Sequence, residues 1–205
     1  KYRVGVGQVF GDLSFTNYTV DVRKYVRFKP VTLAARVYSY IRSGKDEDRL
    51  RGTYIGYPFF IRGFDDLNPD KVGGLSFEDL MGSRSVIANF EVRLPFTGPE
   101  KLAVVKSGFL ISDLNLFFDA GLAWSRDSKI VGSLSKKPLV PQLDNEGNPV
   151  YDQAGEAIYR YDPNYRVPVF SAGVSLRVNL FGAMILEPYY AVPFVKSRSN
   201  FFGTF

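Results

Sequence analysis

The sequence predicts an all-β chain folded as an antiparallel β-barrel. Three observations carry this reading. Apolar and polar residues alternate with a period of two over long stretches, no segment shows the period of an amphipathic helix, and the connections between alternating stretches differ sharply in length.

Taken in chain order, eight stretches qualify as strands. Residues 2–10 alternate weakly, with Gly5 and Gly7 on one side and Gln8 interrupting the other. Residues 15–28 set Tyr18, Val20, Val22, Val26 and Phe28 against Asn17, Asp21, Arg23, Tyr25 and Arg27, with Lys24 breaking the apolar face. Residues 31–41 set Val31, Leu33, Ala35, Val37 and Ile41 against Thr32, Arg36, Tyr38 and Tyr40. In 83–96, Val86, Ala88, Phe90, Val92, Leu94 and Phe96 oppose Ser85, Asn89, Glu91 and Arg93. The clearest stretch is 113–124, where Leu114, Leu116, Phe118, Ala120, Leu122 and Trp124 face away from Asp113, Asn115, Phe117, Asp119, Gly121 and Ala123. Residues 168–181 place Phe170, Ala172, Val174, Leu176, Val178 and Leu180 opposite Ser171, Gly173, Ser175, Arg177 and Asn179. Residues 183–194 carry Met184, Leu186, Tyr190 and Val192 on the apolar side and Glu187 on the other, and 197–205 make a short eighth strand ending in an aromatic residue.

Tight turns at 28–30 and 181–182 and a medium link at 97–112 alternate with two excursions of about forty residues, 42–82 and 125–167. Short turns on one rim and long loops on the other describe an outer-membrane barrel. In such a barrel the apolar faces meet lipid, and the polar faces enclose a mixed-sign set: Arg3, Asp21, Arg23, Arg27, Arg36, Glu91, Arg93, Asp119, Arg177 and Glu187. A soluble β-sandwich, which buries the apolar face and wets the charges, is the alternative.

Composition narrows the function. Of 205 residues, 45% are hydrophobic and 23% charged, which excludes disorder. No run of about 18 apolar residues occurs, so no transmembrane helix is expected. The mean hydropathy is near neutral and suits strands with one apolar face. Histidine and cysteine are absent, which removes Ser-His and Cys-His catalysis, imidazole or thiolate metal sites and disulfides. A net charge of +5 does not point to nucleic acid. The chain starts at Lys1 without a signal-like stretch and reads as a processed or partial chain.

Three fragments stand out: Ile61-Arg62-Gly63-Phe64 in the first excursion, Asn89-Phe90-Glu91-Val92-Arg93-Leu94-Pro95 on the strand after it, and Phe117-Phe118-Asp119-Ala120-Gly121 on the next. Glu91 and Asp119 share the inward parity and lie on adjacent strands. A guanidinium entering on a loop can bridge both, since its planar fork suits paired carboxylates better than an ammonium does. Gly63 allows close backbone approach and Phe64 anchors the tip. Other local signals are weaker. The glycines of 5–11 lack dinucleotide-fingerprint spacing, and 144–147 fails the calcium-loop pattern. Asp65, Asp66 and Asp70 beside Asn68-Pro69 read as a turn before a calcium site, and the mixed-charge run 45–49 with Arg51 reads as a solvated loop tip. Residues 149–151 and 158–161 suggest a small exposed hairpin, and no internal repeat is evident beyond strand periodicity. The pairing of Glu91 with Asp119 could suggest glycosidase chemistry, but inward arginines around it favour an ion network.

Together the three fragments resemble the bacterial surface antigen barrels, the family of the outer-membrane assembly factors BamA and TamA and of two-partner secretion transporters. The resemblance implies that the chain is a single unit over 1–205, the C-terminal half of a sixteen-stranded barrel, with Arg62 on the loop between the eleventh and twelfth strands. It further implies that Arg62 pairs with Glu91 and Asp119 in the lumen, that Phe117 and Gly121 support the motif, and that the chain is not an enzyme and carries neither cofactor nor metal. The implied setting is the bacterial outer membrane, with lipid as partner alongside client outer-membrane proteins and accessory periplasmic or lipoprotein subunits. The implied role is insertion of proteins into that membrane or their passage across it, through a seam between first and last strands that opens sideways. A non-insertase anchor or passive channel serving an upstream periplasmic domain is the alternative, and an outer-membrane hydrolase, disfavoured by the lack of histidine, is a third.

Overall fold

A computed structural model of the chain describes residues 1–64, 75–99, 101, 103–107, 111–180, 183–194 and 201–204. Eight strands make the main path of one ten-stranded sheet, to which the short segments Val105–Lys106 and Met184–Leu186 add: β1 (Tyr2–Val9), β2 (Phe15–Phe28), β3 (Val31–Ser43), β4 (Arg84–Gly98), β5 (Ile111–Trp124), β6 (Val169–Leu180), β7 (Pro188–Pro193) and β8 (Phe201–Thr204). They lie side by side in sequence order and every neighbouring pair is antiparallel. Met184–Leu186 pairs with β6 ahead of β7 in the same register, Leu186 opposite Val178 and Tyr189 opposite Ser175. The strand expected over 183–194 is therefore interrupted at Glu187, just before Pro188, which lacks the amide a ladder needs. β1 and β8 form the two edges, and among the described residues no pairing closes the sheet.

The sheet is apolar on the side that, among the described residues, no other element covers. On β5, Leu114, Leu116 and Phe118 are 37%, 55% and 41% exposed, while Asn115, Phe117, Asp119 and Ala123 between them are buried. The same inversion runs along β1 to β6 through exposed Val4, Tyr18, Val37, Phe90 and Val174, and among the described residues no second sheet packs on this face. Soluble chains rarely expose apolar patches beyond a few hundred Å², so such a wall belongs in hydrocarbon, and the soluble sandwich is set aside.

The buried apolar core lies on the opposite face and comes largely from the first long loop. Tyr54, Ile55, Phe60, Ile61, Phe64, Leu75 and Leu80 pack on Ile87 of β4, Ala123 of β5 and Val169 of β6. The second long loop caps the first: Lys137 Nζ lies 2.5 Å from Asp79 Oδ1, and both side chains are buried.

Two local expectations are corrected. The run 45–49 is only partly a solvated tip: Lys45, Asp48 and Arg49 are exposed, but Asp46 and Glu47 are buried. Asp46 accepts the Ser14 amide at 2.9 Å. Glu47, 1% exposed, accepts the Gly44 amide at 3.0 Å, Arg84 at 2.8 Å and Arg126 at 3.0 Å. Charge patterning presumes solvent, whereas here the bases of three connections converge. The second loop also contains a repeat. Asp144 accepts the amides of Glu146 and Asn148, and Asp152 those of Ala154 and Glu156, so the expected hairpin around 152–155, where Tyr151 pairs antiparallel with Ala157, is preceded by a second, similar arm. At their root the amides of Gln142, Ile158 and Val150 each donate to the carbonyl of the next, closing a ring. Asp65, Asp66 and Asp70 lie outside the described residues.

Candidate functional site

The first long loop carries its arginine onto the inner face through a tight turn. The amides of Phe60 and Ile61 both donate to the Tyr57 carbonyl, at 2.8 and 3.0 Å, and this coil aims the next residue at β5. Arg62 then meets Asp119 three times. Its Nε donates to Oδ2 and its Nη2 to Oδ1, each at 2.8 Å, and its backbone amide reaches Oδ2 at 3.1 Å. The remaining guanidinium nitrogen, Nη1, lies 3.0 Å from Glu91 Oε1 and 3.7 Å from Glu187 Oε1. The guanidinium carbon sits 3.6 Å over the Phe117 ring, so the cation is bound edge-on by carboxylates and on one face by an aromatic.

The spacing of the β5 motif explains this arrangement. Residues two apart share a face, so Phe117, Asp119 and Gly121 form an inward row. Phe117 takes the guanidinium plane and Asp119 its fork. Gly121 leaves room for the Ile61 side chain, whose end occupies the place a Cβ at 121 would need. Gly63 follows with φ +91°, a conformation glycine adopts readily, and Phe64 is fully buried in the loop core, its carbonyl accepting the Tyr54 hydroxyl. The eight residues singled out from the sequence (Ile61, Arg62, Gly63, Phe64, Glu91, Phe117, Asp119 and Gly121) thus lie in one contiguous region.

Other residues complete it. Asn89 donates to both the Phe60 carbonyl at 2.7 Å and Asp119 Oδ1 at 2.9 Å, joining loop and wall. Arg93 pairs with Glu91 and Arg177 with Glu187, each at 2.6 Å, so three guanidiniums balance three carboxylates. Gly173 of β6 makes room for Phe117, whose ring edge lies 2.7 Å from where a Cβ at 173 would be. Glu187 was legible as an inward residue but not as a partner of Arg62, because its distance from the loop depends on strands far apart in the chain.

Each oxygen of Glu91 and Asp119 is taken: Oε1 by Arg62, Oε2 by Arg93, Oδ1 by Arg62 and Asn89, and Oδ2 by Arg62. Both carboxylates are thus fully engaged by the groups around them. Among the described residues no group of three or more potential ligands could hold a metal ion.

An antiparallel meander that is apolar outside and charged inside, with its long loops on one rim, defines a β-barrel membrane protein. The chain belongs to the Omp85 superfamily, whose domain model matches residues 1–200. Members of this family are non-enzymatic barrels of the outer membrane, associated with insertion and translocation of proteins. No curated protein and no solved structure matches the chain.

Proposed function

We propose that this chain forms part of an outer-membrane barrel that aids insertion of proteins into, or their translocation across, the bacterial outer membrane, and that Arg62 pins the loop that braces it. The observation that carries this reading is the direction of the guanidinium, which engages carboxylates on separate strands while its own backbone amide seats on one of them. A loop so fastened holds the curvature of the wall without covalent chemistry, and its release is a natural control point. Lipid is the partner of the apolar face. Client outer-membrane proteins and accessory periplasmic or lipoprotein subunits are the further partners this role calls for.

Arg62→Ala tests the reading. Removing one member of a buried ionic cluster costs on the order of 3–5 kcal/mol, so the variant assembles but unfolds at lower denaturant and supports outer-membrane protein assembly poorly in cells relying on it. Arg62→Lys rescues little, because an ammonium cannot fork onto Asp119. Unimpaired assembly with alanine at 62 transfers the chain to the class of passive anchors.

A further inference from the structure

Glu187 differs from the other carboxylates around Arg62 in where it stands. Glu91 and Asp119 lie on β4 and β5, in the middle of the sheet. Glu187 immediately precedes β7, the strand next to the edge strand β8. Its aim is set by groups outside the loop: Ser175 Oγ donates to Oε1 at 2.8 Å, and Arg177 Nε to Oε2 at 2.8 Å. The carboxylate is therefore held toward Arg62 by two side chains of β6. Further contacts fall on the same inward row. The Tyr189 ring meets Phe117, the seat of the guanidinium, edge-on at 6.4 Å between centroids. A Cβ at Gly63 would lie 3.0 Å from the Ala191 Cβ and 3.6 Å from Pro193 Cδ, so the loop backbone rests directly on this strand. Charge and shape thus coincide on β7, from residues two apart.

We infer that this row of β7 is a second dock for the arginine loop, with Glu187 as a positioning residue for Arg62, so that seating of the loop and placement of the strand beside the sheet edge are coupled. The inference rests on the reading of the loop as a brace. It adds that the brace reaches β7, and that a change at β7 unseats the loop.

The chain contains no cysteine, so Ile61→Cys in the full protein in outer membranes, with any cysteine outside this chain replaced by serine, reports loop seating. Ile61 is fully buried and a thiol there reacts with a maleimide only when the loop lifts. Glu187→Gln is expected to raise the labelling rate about tenfold, as loss of a charge-assisted contact implies, and Glu187→Asp by less. Ala191→Leu, which keeps every charge, is expected to do the same by filling the space Gly63 rests on, and it decides the matter if Glu187→Gln fails to assemble. A separate Ala34→Cys on β3 stays slow in both. Parental labelling in Glu187→Gln, or in Ala191→Leu where that variant decides, overturns the dock. So does an equal rise at 34, which makes the effect global unfolding. Faster labelling at 61 with normal assembly of client proteins keeps the dock and removes the functional reading instead.

Discussion

Ile61 ends where the side chain of residue 121 would begin, and this sets a graded cost for enlarging Gly121. A methyl group there meets the far end of one isoleucine, which can turn aside within a packed core. A branched side chain also meets Ile55, whose Cδ1 lies 3.3 Å from the same point. Gly121→Val is expected to destabilise by roughly 1–3 kcal/mol, as overpacking does, with Gly121→Ala at the low end. Denaturant melts of the two variants against the parent check the order, and equal midpoints for all three would contradict it. The spacing of Phe117, Asp119 and Gly121 on one face was readable from period two alone, and so was the match of a guanidinium to inward carboxylates. The roles of Glu187, Asn89 and Gly173 were not, because each depends on a register between strands that the spacing within one strand does not fix.

At the level of elements, the strands were legible and the loops were not. Alternation placed seven of the eight strands to within a few residues and located the rims. It carried no information on Tyr54, Ile55, Leu75 and Leu80, which have no period and yet build the inner core. Nor did it reveal that charged residues 46 and 47 are tucked under three connections. That knot predicts a pH response. The Ser14 amide, and after it the Arg49 guanidinium, hold the Asp46 carboxyl below its ordinary value of 3.8. A lowered folded-state value adds stability above the ordinary value, and this is lost as pH falls through the lowered one. Residues 44–51 should therefore become more open to an acid-active protease below about pH 4. In Asp46→Asn they are expected to be more open already at neutral pH, with a flatter dependence on acidification. A parental acid response in Asp46→Asn would remove Asp46 as its source.

For the whole molecule, the decisive feature is the inversion of the sheet, polar within and apolar without. It was visible in the sequence as eight alternating stretches with a mixed-sign polar face, and the burial of Asn115, Ser171, Ser175 and Glu187 opposite exposed Leu116 and Val174 gives it physical form. Closure was beyond the reach of pattern, since it depends on which edges meet. The full protein is expected to require detergent for extraction and to migrate differently on gels before and after boiling, as a detergent-resistant barrel does. Solubility in plain buffer, with the same mobility in both lanes, would contradict the lipid-facing wall.

The ring joining Gln142, Val150 and Ile158 has a consequence for the outward surface. Each arm leaves the ring and returns to it eight residues later on a peptide group in the same role, so an arm is a detachable petal and not a strut. Whole petals can be gained or trimmed in steps of that length while the wall beneath keeps its register, leaving this part of the exterior free to diversify under pressures that never touch the arginine within.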